Sequence, residues 1–267
     1  MMAGRASEPF FELDHATVHY GAGAVLDGVS IEIHHRETVA VVGPNGSGKS
    51  TLLRVLAGLV EPMGGSATLH GTPLTRLTPR ERAQQIAYVP QDTSVPFEFS
   101  VRDIVAMGRS PYLSPWGFES REDEAAIDEA IDVMELAPFA SRSILEVSGG
   151  ERQRAVIARA LAQKPAVLLL DEPGANLDLR YQVALHALLA RLNQATGLTT
   201  VTVSHDLNAV AASNRIVALV DGRVRAMGPP DRVLTEAIIR ETFGCRALVD
   251  SHPRTGRPRV TVDWSAS

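Results

Sequence analysis

A glycine-rich octapeptide near the N-terminus has the composition and spacing of a phosphate-binding loop. The segment from Gly43 to Ser50 reads GPNGSGKS and lies between an apolar run and a helical pattern. Glycines allow backbone N–H groups to turn toward phosphate oxygens, and the start of a helix adds positive potential. We expect Lys49 to supply a point charge and the Ser50 hydroxyl to ligate magnesium. The residues predicted to bind a nucleotide here are Gly43, Pro44, Asn45, Gly46, Ser47, Gly48, Lys49, Ser50 and Thr51.

A pair of acidic residues ends a second apolar run. The run VLLL, residues 167–170, continues into Asp171, Glu172 and Pro173. In a doubly wound sheet the carboxyl ends of the strands face the ligand crevice, so both carboxylates are candidates for catalysis. We expect Asp171 to hold magnesium through water, and Glu172 to orient and deprotonate an attacking water. Alone, the pair fits a solvated loop equally well, but the phosphate loop favours the catalytic interpretation.

The Ser-Gly-Gly sequence of Ser148, Gly149 and Gly150 is a second candidate anion site. It opens the strongly helical stretch ERQRAVIARALAQ, and free N–H groups and the helix dipole at such a start attract anions. The same three residues also suit an ordinary helix cap. One nucleotide does not need two phosphate cradles, so two in one chain favour sites shared between subunits.

The elements that must position these residues follow an α/β pattern. Three continuous apolar runs suit parallel strands buried on both faces, over 38–42, 167–170 and 199–203. Helices are predicted after them, over 50–59, 179–195 and 207–213. Shorter runs at 11–18, 30–33 and 67–69, with glycine turns at 21–23 and 64–65, predict antiparallel strands. We therefore predict a doubly wound, mainly parallel sheet with an N-terminal antiparallel lobe.

Two segments depart from this alternation. Residues 92–147 are loop-rich and then helical, with Ser120 as an N-cap before the acidic turn REDE, which predicts a helical insertion. After Pro229, the tail is predicted to form one helix over 232–243, followed by Gly244 and the Pro/Arg segment HPRTGRPRV.

Composition limits the classes of protein that this chain can belong to. Its 267 residues are 45% hydrophobic and 21% charged, which excludes intrinsic disorder, and the net charge of −5 argues against a nucleic-acid partner. Cys245 is the only cysteine, which excludes an intramolecular disulfide and favours a reducing compartment. The N-terminal sequence lacks the apolar stretch of a signal peptide, and no apolar run is long enough to span a bilayer. Any membrane role is therefore expected to need a partner.

The motifs resemble, in type and order, those of the ATP-binding cassette (ABC) family. GPNGSGKST, Gln91, VSGGERQR, LLLDEP, the NLD ending at Asp178 and the SHD around His205 stand where that family has its Walker A, Q-loop, signature, Walker B, D-loop and switch-histidine motifs. The resemblance covers about residues 11–233. It implies an α/β fold with a P-loop NTPase (RecA-like) core, a mainly parallel sheet, an N-terminal antiparallel β lobe and an inserted helical subdomain.

The resemblance also implies domain boundaries and an activity. Residues 8–233 would form the ATPase domain, about 92–160 the inserted helical subdomain, and 234–267 a C-terminal tail packing on the core. The activity would be hydrolysis of ATP to ADP and phosphate with Mg²⁺. In this family, a head-to-tail homodimer sandwiches each ATP between Walker A of one subunit and the signature of the other.

Residue roles follow from the same resemblance. Gln91 would contact magnesium and the nucleophilic water and sense the membrane partner, and His205 would contact the γ-phosphate. Tyr20 stands where the family has an adenine-stacking aromatic, although a core or edge-strand tyrosine is the alternative. The implied catalytic residues are Lys49, Gln91, Glu172 and His205, the magnesium ligands are Ser50, Gln91 and Asp171, and further nucleotide-binding residues are Tyr20, Ser148, Gly149, Gly150, Glu151 and Asp178.

Two positions depart from the family pattern. Val147 stands where leucine usually begins the signature, and Gly174 stands where threonine or serine usually precedes the D-loop. We expect the lost hydroxyl at Gly174 to loosen communication between the two sites. Neither change removes a catalytic group.

The segment after the Q-loop indicates a branch of the family. Residues 96–113, PFEFSVRDIVAMGRSPYL, resemble importer ATPases for iron chelates (siderophores), haem and cobalamin. The implied partners are integral membrane permease subunits and, through them, a substrate-binding protein. The chain would be peripheral on the cytoplasmic face of the cell (inner) membrane. The residues expected to form the permease-binding surface are Phe97, Phe99, Val101, Met107 and Tyr112.

Other classes of ABC protein are weighed against this branch. A DNA-repair or chromosome-organising ATPase would place a long coiled coil between Gln91 and Ser148, and this chain has no room for one. A ribosome-associated protein would usually carry two cassettes, whereas one set of motifs is present here. The open alternatives are a zinc or manganese importer and a cytosolic iron–sulfur assembly ATPase.

Overall fold

A computed structural model of the chain describes residues 9–21, 23–93, 97–113, 120–175 and 177–265. The strands are β1 Phe11–Tyr20, β2 Gly23–Ile33, β3 Thr38–Val42, β4 Gly64–Leu69, β5 Thr72–Pro73, β6 Ile86–Val89, β7 Val167–Asp171, β8 Thr199–Val203, β9 Arg215–Val220, β10 Arg223–Gly228, β11 Ala247–Ser251 and β12 Pro258–Val262. The helices are α1 Lys49–Leu56, α2 Pro79–Gln85, α3 Val101–Ala106, α4 Arg121–Val133, α5 Gly149–Ala162, α6 Leu179–Thr196, α7 Leu207–Val210, α8 Pro230–Val233 and α9 Glu236–Phe243. Residues 1–8, Ala22, Pro96 and Asn176, which enter the expectations above, lie outside the described residues.

The chain forms two compact units. The first unit contains residues 1–76 and 199–267, and the second contains residues 77–198. In the first unit, β3 lies between β8 and β9 and is parallel to both, with Val41 opposite Val203 on one side and Val217 on the other. The loops that follow β3 and β8 therefore leave the same edge of this sheet.

The predicted antiparallel strands are present in the first unit. β1 pairs antiparallel with β2, where Phe11 faces Ile33, and with β4, where Phe11 faces Leu69. The turn predicted at residues 64–65 is wrong, because both glycines begin β4. Gly65 has φ +76°, and a Cβ there would lie 2.2 Å from the backbone oxygen of Asp14. The glycine therefore allows β4 to approach β1 closely.

The tail differs from its prediction in two ways. The single helix predicted over 232–243 is two helices, α8 and α9, because Thr235 breaks the run and caps α9 by accepting a hydrogen bond from the Ile238 N–H. The Pro/Arg segment contributes to an antiparallel hairpin, β11–β12. Ala247 and Val260 of this hairpin share a core cluster with Ala40 of β3.

In the second unit, β6 and β7 form a parallel pair with Val89 opposite Leu170. Helices α3, α4 and α5 pack with them around a core of aliphatic side chains. Ser120 caps α4 as predicted, since its hydroxyl accepts from the Asp123 N–H at 3.2 Å. The α/β fold with parallel strands, an antiparallel lobe and a helical insertion is confirmed. No helix within the described ranges is both long and apolar enough to cross a membrane.

Candidate nucleotide-binding and catalytic site

The loop after β3 is shaped by glycines that no other residue can replace. Gly43 has φ +153°, and a Cβ there would lie 2.1 Å from the backbone oxygen of Leu219. Gly48 has φ +97°, and its Cβ would lie 2.5 Å from the backbone oxygen of Val25. Both positions combine a left-handed backbone with a close backbone neighbour, so the loop curls tightly before α1. This is the cradle predicted for phosphate.

The polar groups of this loop suit an anion. The Lys49 ammonium is buried and donates hydrogen bonds to the backbone oxygens of Gly43 at 2.9 Å and Pro44 at 2.8 Å. Helix α1 begins at Lys49 without a side-chain cap or an acidic residue in its first turn. The Ser47 hydroxyl is buried and has no hydrogen-bond partner among the described residues. A phosphate would meet a cation, a helix start and an unpaired hydroxyl here.

Tyr20 stands near this loop through the β1–β2 hairpin. It ends β1, faces Gly23 across the hairpin, and is 52% exposed. Val25 and Leu26, just beyond in β2, are the residues against which Gly48 packs. The structure therefore places Tyr20 at the end of the hairpin that borders the phosphate loop, with about half of the residue exposed.

His205 follows β8 at the same end of the sheet at which the phosphate loop follows β3. The Ser204 N–H donates to the backbone oxygen of Val41 in β3 at 3.2 Å. His205 is exposed, and the next residue, Asp206, caps α7 by accepting from the N–H groups of Asn208 and Ala209 at 2.9 and 3.0 Å. The switch-histidine position is thus set by the parallel pairing of β3 and β8.

In the second unit, the structure brings Glu172 and Gln91 together. Gln91 donates from Nε2 to Glu172 Oε2 at 3.1 Å, and each residue lies two positions beyond the facing pair Val89 and Leu170. Glu172 has φ +50°, which is uncommon for a residue with a side chain and is typical of strained functional positions. The preceding Asp171 is buried at the end of β7, with the Tyr88 hydroxyl 3.4 Å from its Oδ2.

The predicted magnesium ligands offer the oxygen donors that this ion prefers. They are the buried Asp171 carboxylate and the Gln91 amide in the second unit, and the half-buried Ser50 hydroxyl in the first turn of α1 in the first unit. The donor chemistry at each position therefore fits a hard cation.

The Ser-Gly-Gly sequence begins α5 on an exposed surface. The Ser148 hydroxyl accepts from the Glu151 N–H at 3.3 Å, and the Glu151 carboxylate accepts from the Ser148 N–H at 2.8 Å. This reciprocal cap occupies two backbone donors. Gly149 is exposed in the same first turn, and nothing lies within 4 Å of where its Cβ would be. The cap and the anion site therefore use different N–H groups, and the two interpretations are compatible.

The D-loop region is held by a side chain that the sequence did not single out. Gln182 of α6 donates from Nε2 to the backbone oxygens of Gly174 at 3.0 Å and Leu177 at 2.9 Å. Asp178 caps α6, accepting from the Tyr181 N–H at 3.0 Å. Gln182 thus fixes the backbone at Gly174, the position without a hydroxyl.

Comparison with known proteins tests the family resemblance. The sequence model of the family described as ABC transporter matches residues 26–175, which is more than half of the chain and includes the phosphate loop, the Ser-Gly-Gly helix start and the Asp171–Glu172 pair. The chain belongs to the ABC transporter family.

Relatives of this ABC ATPase fall in the predicted branch. The hemin import ATP-binding protein HmuV of Streptomyces coelicolor is 44% identical, covering 90% of this chain and 85% of that protein. The cobalamin import ATP-binding protein BtuD of Halobacterium salinarum is 42% identical over 89% of this chain, which covers 59% of that protein. Among solved structures, a metal-chelate type ABC transporter in an inward-facing conformation matches with a TM-score of 0.83 and 28% identity, covering 96% of this chain and 98% of that chain.

The surface expected to bind the permease is smaller than the sequence indicates. Phe97, Phe99 and Met107 are 65%, 37% and 38% exposed. Val101 is instead fully buried, because it begins α3 with its side chain in the core of the second unit. Tyr112 is half-buried, and its hydroxyl donates to the backbone oxygen of Gln163 at 3.0 Å. Of the five expected residues, Phe97, Phe99 and Met107 are therefore the exposed ones, and the ring centres of Phe97 and Phe99 lie 6.2 Å apart.

Two buried polar residues of the second unit lie inside the quoted motifs but were not predicted to be functional. Gln153 of α5 accepts from the Thr93 hydroxyl at 3.1 Å, which links the Q-loop to the signature helix. Arg109 donates to Asp123 at 2.7 Å and to the backbone oxygen of Ala162 at 2.8 Å, and its guanidinium lies 3.9 Å from the Tyr112 ring centre. No local signal marks Gln153, because its neighbours Arg152 and Arg154 are both charged.

Proposed function

We propose that this ABC ATPase powers the uptake of an iron chelate, haem or cobalamin through a separate membrane permease. The observation that carries the proposal is the exposure of three apolar side chains, Phe97, Phe99 and Met107, in the segment that follows Gln91. The rings of Phe97 and Phe99 lie in contact, with centres 6.2 Å apart, and exposed aromatic side chains are enriched at protein interfaces. Because Gln91 donates a hydrogen bond to Glu172, movement of this segment would shift the proposed catalytic carboxylate.

The cargo is proposed from the relatives. Their names specify hemin, cobalamin and metal chelates, which are large ligands rather than single ions. In this proposal the permease and a substrate-binding protein select the cargo, and this chain supplies only the energy. Its place is peripheral, on the cytoplasmic face of the cell membrane. Transport of zinc or manganese, or a role in iron–sulfur assembly, would contradict this branch assignment.

Within the site, Glu172 is the proposed general base. Its carboxylate would take a proton from the attacking water, while Lys49 holds the β- and γ-phosphates and His205 contacts the γ-phosphate. Ser50, Asp171 and Gln91 would hold Mg²⁺, which when bound offsets the negative charge of the phosphates. Tyr20 would stack on adenine.

A head-to-tail homodimer completes the proposed site. Ser148, Gly149, Gly150 and Glu151 form an exposed helix start in the second unit, whereas the phosphate loop belongs to the first unit. If the signature of one copy binds the nucleotide held by the phosphate loop of a second copy, both predicted anion sites contact the same nucleotide. Asp178 would lie at this junction.

We propose residues 8–233 as the ATPase domain, with about 92–160 as its helical subdomain and 234–267 as the tail.

The test measures uptake and complex formation together. In a strain that lacks the chromosomal copy, Phe99→Asp and Met107→Asp should abolish uptake of labelled ferric siderophore, haem or cobalamin and co-purification with the permease, while ATP affinity of the isolated subunit is retained. Met63→Asp is the matched control, because Met63 is 77% exposed but lies in the first unit. Wild-type co-purification of both variants would place the coupling surface elsewhere, and uptake of zinc in place of the three cargoes would overturn the branch.

A further inference from the structure

The C-terminal hairpin is attached to the helix that follows the switch histidine. Asn208, in α7, donates from Nδ2 to the backbone oxygen of Val260 at 3.1 Å, and its Oδ1 accepts from the Val260 N–H at 2.8 Å. The side-chain amide thus pairs with both backbone groups of one residue in β12. At the edge of the β11–β12 hairpin, the Asn208 amide thus satisfies the two backbone groups that a neighbouring strand would otherwise bind.

Apolar contacts strengthen this attachment. Val210 of α7 and the adjoining Ala211 are buried in the same core cluster as Ala247 and Val260 of the hairpin. That cluster also contains Val42, the last residue of β3 before the phosphate loop. The hairpin, α7 and the strand that carries the phosphate loop therefore share one packed layer within the first unit.

Helix α7 has little stability of its own. It spans only four residues, Leu207–Val210, and a single helical turn does not persist without tertiary contacts. Asp206 caps its start, and Asn208 ties it to β12. His205 is exposed and lies two residues before this turn, so β8 holds the backbone on its N-terminal side and the turn holds it on the C-terminal side.

We infer that Asn208 is a positioning residue for His205 and that the C-terminal hairpin is its support. The inference rests on the proposed role of His205 in ATP hydrolysis. Within the part of the chain that the structure describes, the Asn208 side chain hydrogen-bonds to Val260 of the tail and to no residue of the phosphate loop. Its loss should therefore loosen α7 without changing the loop proposed to bind ATP. The expected signature is a fall in kcat with unchanged ATP affinity, because a displacement of about 1 Å is enough to slow catalysis strongly.

The experiment compares two asparagines that make similar bonds. Asn208→Ala in the full-length chain should lower kcat for ATP hydrolysis by about tenfold or more, with the Kd for ATP within about twofold. Asn214→Ala is the control, because Asn214 Oδ1 accepts from the Thr38 N–H and hydroxyl at 2.8 and 2.7 Å, at the beginning of β3 and away from His205. It should show a comparable loss of thermal stability and keep the wild-type kcat. Asn208→Asp, which keeps an acceptor for the Val260 N–H, should recover part of the kcat and also serves if the alanine variant fails to fold.

A double variant separates this inference from the proposed function. In a His205→Ala background, Asn208→Ala should cause no further loss of kcat, since the two residues act through one position. An equal loss with and without His205, or a matching loss in Asn214→Ala, would overturn the positioning role. A wild-type kcat in Asn208→Ala together with an impaired His205→Ala would overturn only this inference. A wild-type kcat in His205→Ala would instead overturn the proposed role of His205.

Discussion

Gln91 and Glu172 are 81 positions apart in the chain, yet the Gln91 amide donates to the Glu172 carboxylate at 3.1 Å. Their strands are parallel neighbours, and each residue lies two positions beyond the facing pair Val89 and Leu170. Glu172 also has a left-handed backbone conformation, and its backbone oxygen accepts a hydrogen bond from the Ala175 N–H at 3.1 Å. The segment that carries the proposed permease surface is therefore in direct contact with the proposed base.

The first prediction concerns the role of Glu172. Glu172→Gln removes the basic carboxylate but keeps an oxygen that can accept from Gln91, so the fold and ATP affinity should be preserved. Turnover should fall by about 10²- to 10⁴-fold, and the ATP-bound dimer should accumulate. Phosphate release and gel filtration with ATP measure both effects. Glu146→Gln is the control, an exposed glutamate of the same unit. Near wild-type turnover of Glu172→Gln would contradict the assignment.

The second prediction concerns the sharing of sites between subunits. Ser148→Arg should block hydrolysis by crowding the partner's γ-phosphate, while ATP still binds to the monomer. Mixed with Lys49→Ala, it should form dimers that have one intact composite site and one doubly damaged site. Hydrolysis should therefore reappear on mixing two inactive variants, measured as phosphate release against the mixing ratio. The absence of any mixed-dimer effect would refute the head-to-tail arrangement.

The third prediction concerns Tyr20. Tyr20→Ala should weaken ATP binding by about 1–3 kcal/mol, the range for stacking of a base on an aromatic ring. This corresponds to an increase in Kd of about 5- to 150-fold. Tyr20→Trp should bind ATP like the wild type because it retains a stacking surface, and His19→Ala controls for changes to this end of β1. If the alanine variant binds ATP as tightly as the wild type, Tyr20 is only a strand residue.

The fourth prediction concerns the buried pair of Arg109 and Asp123. Burial raises the pKa of Asp123, but hydrogen bonds from Ser120 and from Arg109 outweigh it, so the pKa lies below the ordinary 3.8. A depressed folded-state pKa stabilises the fold above about pH 4, and this stabilisation is lost as the pH falls through the lower folded-state value.

Asp123→Ala should lower the free energy of unfolding by about 3–5 kcal/mol near pH 7, since it leaves a buried guanidinium unpaired. Below pH 4, the free energy of unfolding of the variant should fall less steeply than that of the wild type. Urea unfolding at a series of pH values measures both. Asp128→Ala is the matched control on the same helix, because its pair with Arg102 is exposed and should contribute less than about 1 kcal/mol. Equal losses in the two variants would refute the argument from burial.

The sequence by itself determined the features whose contacts close within a few residues. The capping of α4 by Ser120 and the start of α5 at Ser148 depend on hydrogen bonds to positions three away, and the Lys49 bonds within the phosphate loop reach five and six positions back. The apolar runs likewise marked β3 and β7, because a strand buried on both faces needs a nearly unbroken apolar stretch. Local chemistry was sufficient for these parts of the site.

Tertiary structure alone decided which of these features meet. The pairing of β6 with β7 puts Gln91 against Glu172, and the packing of the hairpin on α7 puts Val260 against Asn208, 52 positions away. Tertiary packing also buries Val101, which an amphipathic pattern could have left on the surface. Periodicity states which face of an element is apolar but not which partner will cover it, because that choice depends on strand order and on the packing of distant segments.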